Sequence, residues 1–225
     1  MKGEVLKMNQ KKRGFDYLLL SLTAFGGLGI EMLYAYLIEP MVYGKQMQEW
    51  SQMQSIIHWT LTCITWGLVA IYLHRTSKKD YGFDLLKRKD SMRVWQYVAV
   101  ILSIILSIYS SYRSWGGFKV AIEFERKGAL LFTFQYIYYA FEIVLVLLII
   151  VFAQKAFEEW FHNKKIPYGG IICGFTWGLV HIITKGSVII GLEGLLLGFM
   201  LGAAYLFVNR DIKKAYLVLL FMFIL

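Results

Sequence analysis

A chain of 225 residues that is 58% hydrophobic and 17% aromatic carries more apolar surface than one soluble core of that size hides, which excludes a soluble domain and requires lipid. The formal net charge of +9 raises nucleic acid as a partner, but the charges fall between apolar runs, and their distribution leaves nothing that calls for DNA or RNA. The two cysteines, Cys63 and Cys173, both fall inside apolar runs and offer neither a zinc spacing nor a disulfide framework.

Crossing about 30 Å of hydrocarbon takes roughly 20 apolar residues, and such runs recur at 17–38, 53–74, 94–112, 131–154, 169–186 and 187–208. Six spans are predicted. The tail from Ala215 to Leu225 is equally apolar, but at about 1.5 Å per residue it reaches only half way across, as a half-span or interfacial helix. The fold class expected is an all-α polytopic membrane helix bundle, with residues 1–225 forming one membrane domain. The basic opening MKGEVLKMNQKKRG precedes a run too long for a signal-peptide core, so that run is expected to remain as the first span.

With the N-terminus in the cytoplasm, eighteen of the 24 Lys and Arg residues lie inside: five before the first span, seven in 75–93, three in 155–167 and three in 209–214. Lys45, Arg113, Lys119, Arg126, Lys127 and Lys185 lie on the other side. The positive-inside rule then gives a multi-pass protein of a cell (inner) membrane with a cytoplasmic N-terminus. Anionic lipid at the inner surface is the partner that the basic balance implies.

The first span carries Phe25 to Glu31, FGGLGIE, with glycines for close helix contact ahead of an acid. The second sets Gln54, His58, Thr62 and Thr65 on an approximate polar face. The third has Ser103, Ser107 and Ser110 but no ionisable group between Trp95 and Tyr112, and is expected to face lipid. The loop 113–130 ends in AIEFERKG, a short amphipathic or re-entrant piece. Span four places Gln135, Tyr138, Tyr139 and Glu142 on one face. Span six has Gly194, Gly198 and Gly202, a seam of small residues for packing.

The halves echo one another. Thr65 to Val69 recurs as Thr176 to Val180, TWGLV in both, and Glu31 recurs as Glu142, at a common offset of 111 residues. Three spans separate the copies, so halves 15–112 and 126–210 would cross in opposite senses, as inverted repeats do in many transporters.

Ionisable groups within spans are costly in lipid and are functional suspects. Counted from the cytoplasmic end of their own spans, Glu31, His58, Glu142, His181 and Glu193 lie at similar depth, within roughly 6 Å at about 1.5 Å per residue. The reading is a polar layer in which His181 shares a site with Glu142 and Glu193, supported by Glu31 and His58.

Glu158-Glu159 followed by Trp177-Gly178-Leu179-Val180-His181 resembles a reduced form of the CPBP family, the CAAX-type prenyl-protein and bacteriocin-processing intramembrane proteases. That family carries EExxxR, FxxxH and HxxxN on successive helices and uses glutamate and histidine to activate water in the bilayer. Asn163 stands where its arginine belongs, Trp177 replaces its phenylalanine, and no His follows His181. The resemblance implies an intramembrane endopeptidase acting on a membrane or prenylated peptide, with Glu158 and His181 catalytic. Depth argues differently: Glu158 sits past the end of span four, so Glu142 or Glu193 is the expected general base and His181 the group that stabilises or relays charge. A small carrier or proton- or ion-coupled protein, drawn from the echo and the buried acids, stays open, as does a catalytically inactive membrane binding protein. Metal and cofactor are left unassigned.

Overall fold

The computed structural model describes residues 2–87 and 90–225, with side chains from residue 12 onward. Arg88 and Lys89, two of the basic residues counted in the 75–93 loop, lie outside the described residues, and so do the side chains of Lys2, Lys7 and Lys11. The described residues form seven helices and no strand. Helix α1 (Lys2–Leu33) runs through a π-turn, Tyr34–Ile38, into Glu39–Tyr43. It is followed by α2 (Gln52–Lys79), α3 (Val94–Trp115) and α4 (Lys119–Phe161). Helix α5 is built from Tyr168–Cys173, a second π-turn at Gly174–Gly178, and Leu179–Lys185; α6 (Val188–Phe207) and α7 (Ile212–Ile224) complete the chain.

The chain is an all-α membrane helix bundle, and five helices are long and apolar enough to cross a membrane: Lys12–Tyr43, Gln52–Lys79, Val94–Trp115, Lys119–Phe161 and Val188–Phe207. The expected fifth span corresponds to α5, which does not reach that standard. Its 168–185 stretch holds four glycines, a histidine and a terminal lysine, and packing between α4 and α6 rather than apolarity keeps it in place. The tail forms the short α7, which packs against α3, α4 and α6 with Ala215, Leu219 and Met222 buried, as a half-span would.

Helix α4 is the axis of the bundle. From Leu145 to Gln154 every side chain is buried, and a helix apolar on all sides is one surrounded by others; α1, α2, α5 and α7 surround it. Its start is not straight, since Gly128 takes φ 69° and ψ 168°, a backbone that L side chains avoid. The break folds 119–127, the expected amphipathic piece, back so that Glu123 meets Gln135 and Tyr139. Helix α3 is the least buried of the five long helices, holding only Gln96, Val100 and Ser107 buried among the described residues.

Local sequence sets the helix ends. Ser51 caps α2 in a reciprocal box with Gln54, which satisfies donors left over at a helix start. Asp211 caps α7 by accepting from the backbone N–H groups of Lys213 and Lys214. Between α5 and α6, Gly170 faces Gly202, Gly174 faces Gly198 and Gly178 faces Gly194, so close that an added Cβ at Gly202 would lie 2.2 Å from the Gly170 backbone. The expected seam exists, and its partner is a second row of glycines with the same spacing.

Candidate functional site

Residues 135 to 142 of α4 carry the polar face read from the sequence, and three groups of side chains converge on it. In the first, the Trp177 indole Nε1–H, leaving the π-turn of α5, donates to Glu142 Oε1 at 2.9 Å. One turn on, His181 lies with Nδ1 2.8 Å from the Trp177 carbonyl oxygen and its ring tilted edge-on to the indole, centroids 5.0 Å apart. A carbonyl only accepts, so Nδ1 carries the hydrogen and the neutral ring keeps its lone pair on Nε2. Glu142 is buried with its second oxygen not engaged by Trp177. Acid and imidazole thus share Trp177 between neighbouring helices.

The second group joins α1, α2 and α4. His58 Nδ1 lies 2.6 Å from Glu39 Oε2 and its Nε2 lies 3.5 Å from Glu31 Oε1. Tyr138 donates its hydroxyl to the same Glu31 oxygen at 2.7 Å, one helical turn from Glu142. Thr65, on the polar face of α2, hydrogen-bonds separately to Tyr34 of the π-turn at 2.8 Å.

The third group lies at the folded-back start of α4. Glu123, 3% exposed, accepts from Gln135 Nε2 at 3.0 Å, Tyr139 at 2.8 Å and Tyr136 at 3.0 Å. The Lys119 ammonium donates to the Phe223 carbonyl at 2.8 Å and lies over the rings of Tyr139 and Phe223. Phe223 in turn packs on Trp177, which ties this group to the first.

Two of the sequence-derived residues stand elsewhere. Glu193 is exposed on α6 and accepts from the Ser114 hydroxyl at 2.9 Å; its depth matches the others, but its face turns away, so it leaves the shared site. Glu158 lies sixteen residues along α4 from Glu142, about 24 Å at helical rise. There it accepts from Arg210 Nε at 2.9 Å, Arg210 Nη2 at 2.8 Å and Gln154 Nε2 at 2.8 Å. The guanidinium that meets Glu158 comes from the α6–α7 turn and not from position 163, which is Asn163. Glu159 pairs with Lys155. Glu31, His58, Glu142 and His181 are brought around one stretch of α4, whereas Glu158 and Glu193 are not.

Sequence reasoning missed Glu39, Glu123 and Lys119. Glu39 falls one residue past the expected end of the first span, although an acid directly before Pro40 in an apolar run was a signal. Among the described residues no group of three or more His, Cys, Asp or Glu side chains is placed to hold a metal ion. No protein-family model matches the chain, and no curated protein or solved structure is significantly similar to it.

Proposed function

We propose that the chain is an intramembrane hydrolase, a divergent protein of the CPBP type its sequence resembles, cleaving a membrane-embedded or prenylated peptide with Glu142 and His181. The supporting observation is the shared indole: Trp177 holds one Glu142 oxygen while its carbonyl fixes His181 with Nε2 free to accept a proton. In the reaction, a water oxygen bonds to the scissile carbonyl carbon and its proton passes to Glu142. When the C–N bond breaks, His181 Nε2 relays that proton to the leaving amine. Glu158, tied to Arg210, is assigned a structural part. Localisation to a cell membrane with the N-terminus in the cytoplasm belongs to the same reading and rests on the distribution of Lys and Arg.

The test is cleavage of a panel of prenylated and unmodified membrane peptides by the purified protein and by Glu142→Gln, His181→Ala, Glu193→Gln and Glu158→Gln, with folding checked for each. The expected outcome is a loss of about 100-fold or more in Glu142→Gln and His181→Ala, with Glu193→Gln near the parent. Loss in a folded Glu158→Gln with full activity in Glu142→Gln overturns the assignment. A parent protein that cleaves nothing in the panel removes the hydrolase reading in favour of a carrier or a binding protein.

A further inference from the structure

The Glu39–His58–Glu31 group plays no part in the proposed hydrolysis, and its geometry makes a demand of its own. Both ring nitrogens of His58 face carboxylate oxygens, at 2.6 and 3.5 Å. A neutral imidazole has one N–H and one lone pair, so with both acids ionised one of these contacts would set two acceptors against each other. Both are attractive only when the three side chains together hold two protons, and the group then still carries one negative charge. His58 and Glu39 are each 3% exposed, and an uncompensated charge at such a place is costly. The remaining Glu39 oxygen, Oε1, is buried and has no hydrogen-bond partner among the described residues. A third proton on that oxygen would bring the group to neutrality.

We propose that Glu39, His58 and Glu31 form a reversible proton-binding site, separate from Glu142 and His181, in which two protons hold the three side chains together and a third neutralises the group at Glu39. The titratable groups around it are Tyr43 from the α1 segment, Cys63 from α2, Tyr138 and Glu142 from α4, and His181 from α5. The nearby cation of the folded-back segment, Lys127, lies over the Trp59 ring at 5.2 Å and forms no ion pair with either acid among the described residues. The site does not depend on the hydrolase reading, because Glu39 lies outside the Glu142–Trp177–His181 contacts.

Trp50 reports on it, since its ring centroid lies 5.2 Å from that of His58 and an imidazolium quenches indole fluorescence that a neutral imidazole leaves. The experiment is a pH titration of the full-length protein in lipid nanodiscs, taking the Trp50 signal as the difference between the parent and Trp50→Phe. A titration step is expected that vanishes in His58→Gln and moves by about one pH unit or more in Glu39→Gln and in the half-exposed Glu31→Gln. If Glu39→Gln fails to fold, Glu39→Asp serves, because its shorter side chain draws the carboxylate back from His58 Nδ1 and should move the step in the same direction. The third proton is read in the infrared, as a protonated-carboxyl stretch that grows as pH falls and is lost in Glu39→Gln; a stretch that persists unchanged in the folded variant overturns the placement of that proton on Glu39. A parent without a Trp50 step, or a step unmoved in folded Glu39 and Glu31 variants, overturns the proposal. A midpoint that follows sodium when it replaces choline at constant ionic strength also overturns it, since a metal cation would then supply the balancing charge.

Discussion

Trp66 and Trp177 hold matching places in the repeated TWGLV segments, and each points its indole N–H at the helix before its own. Trp66 reaches the Gly27 carbonyl at 3.0 Å, one turn from Glu31, and Trp177 reaches the Glu142 carboxylate at 2.9 Å. A bond to an ionised acceptor is worth about 1.5–3 kcal/mol net, against about 0.5–1.5 for a neutral one. Trp177→Phe should therefore lower stability more than Trp66→Phe, each measured by thermal unfolding in one detergent. Equal losses would mean that Glu142 is neutral where Trp177 meets it. Counting residues from a span end placed Glu31, His58, Glu142 and His181 together because depth is linear in sequence. It misplaced Glu193 because depth says nothing about which face a side chain occupies.

Among the elements, the α5–α6 pair has the tightest geometry. Gly178, Gly174 and Gly170 meet Gly194, Gly198 and Gly202 in antiparallel register, so the separation is set by backbone on backbone. An added methyl at Gly202 would meet Gly170 main-chain atoms at 2.2 and 2.3 Å, which no rotamer change relieves. Gly202→Ala is expected to cost about 1–3 kcal/mol, read from unfolding in detergent. At Gly29 nothing lies within 4 Å of the added atom, so Gly29→Ala should be neutral or stabilise by up to about 1 kcal/mol through helix propensity. Similar effects at the two positions would contradict the packing. The four-residue spacing on α6 was legible as a seam, and Gly170, Gly174 and Gly178 carry the same spacing, but spacing alone does not say which two rows meet. The break at Gly128 was foreshadowed by the amphipathic segment before it, while the fold-back onto Gln135 depends on tertiary contacts that local sequence does not encode.

Across the whole molecule, apolar runs located the spans, α5 at 169–186 among them, although α5 is less apolar than the five helices that reach the standard for crossing a membrane. A helix that packs against α4 and α6 along one face can be less apolar than the others, because polar atoms such as the Trp177 indole N–H and His181 Nδ1 meet protein partners there. Orientation is a separate question, answered by charge rather than packing. In the proposed topology Asp80 and Glu125, both exposed, lie on opposite sides, and the native Cys63 and Cys173 are buried. An impermeant thiol reagent applied to intact cells should label Glu125→Cys and spare Asp80→Cys; the reverse pattern inverts the orientation.

The π-turn at Tyr34–Ile38 has a bearing on phase. From Glu31 to Glu39 is eight residues, which in an uninterrupted α-helix of 3.6 per turn would leave the two acids about 80° apart around the axis. A π-turn takes up one residue more than an α-turn, setting the later segment back by about one step of 100°. Glu39 thereby returns to nearly the azimuth of Glu31, and a single imidazole from α2 lies against both. Inserting one residue within 34–38 would preserve the hydropathy of the span and its apparent fitness to cross a membrane, yet swing Glu39 away from Glu31 by about 100°, whereas deleting one would turn the π-turn into an α-turn and leave the two acids aligned. The cluster is thus written as much in the length of the chain as in its composition.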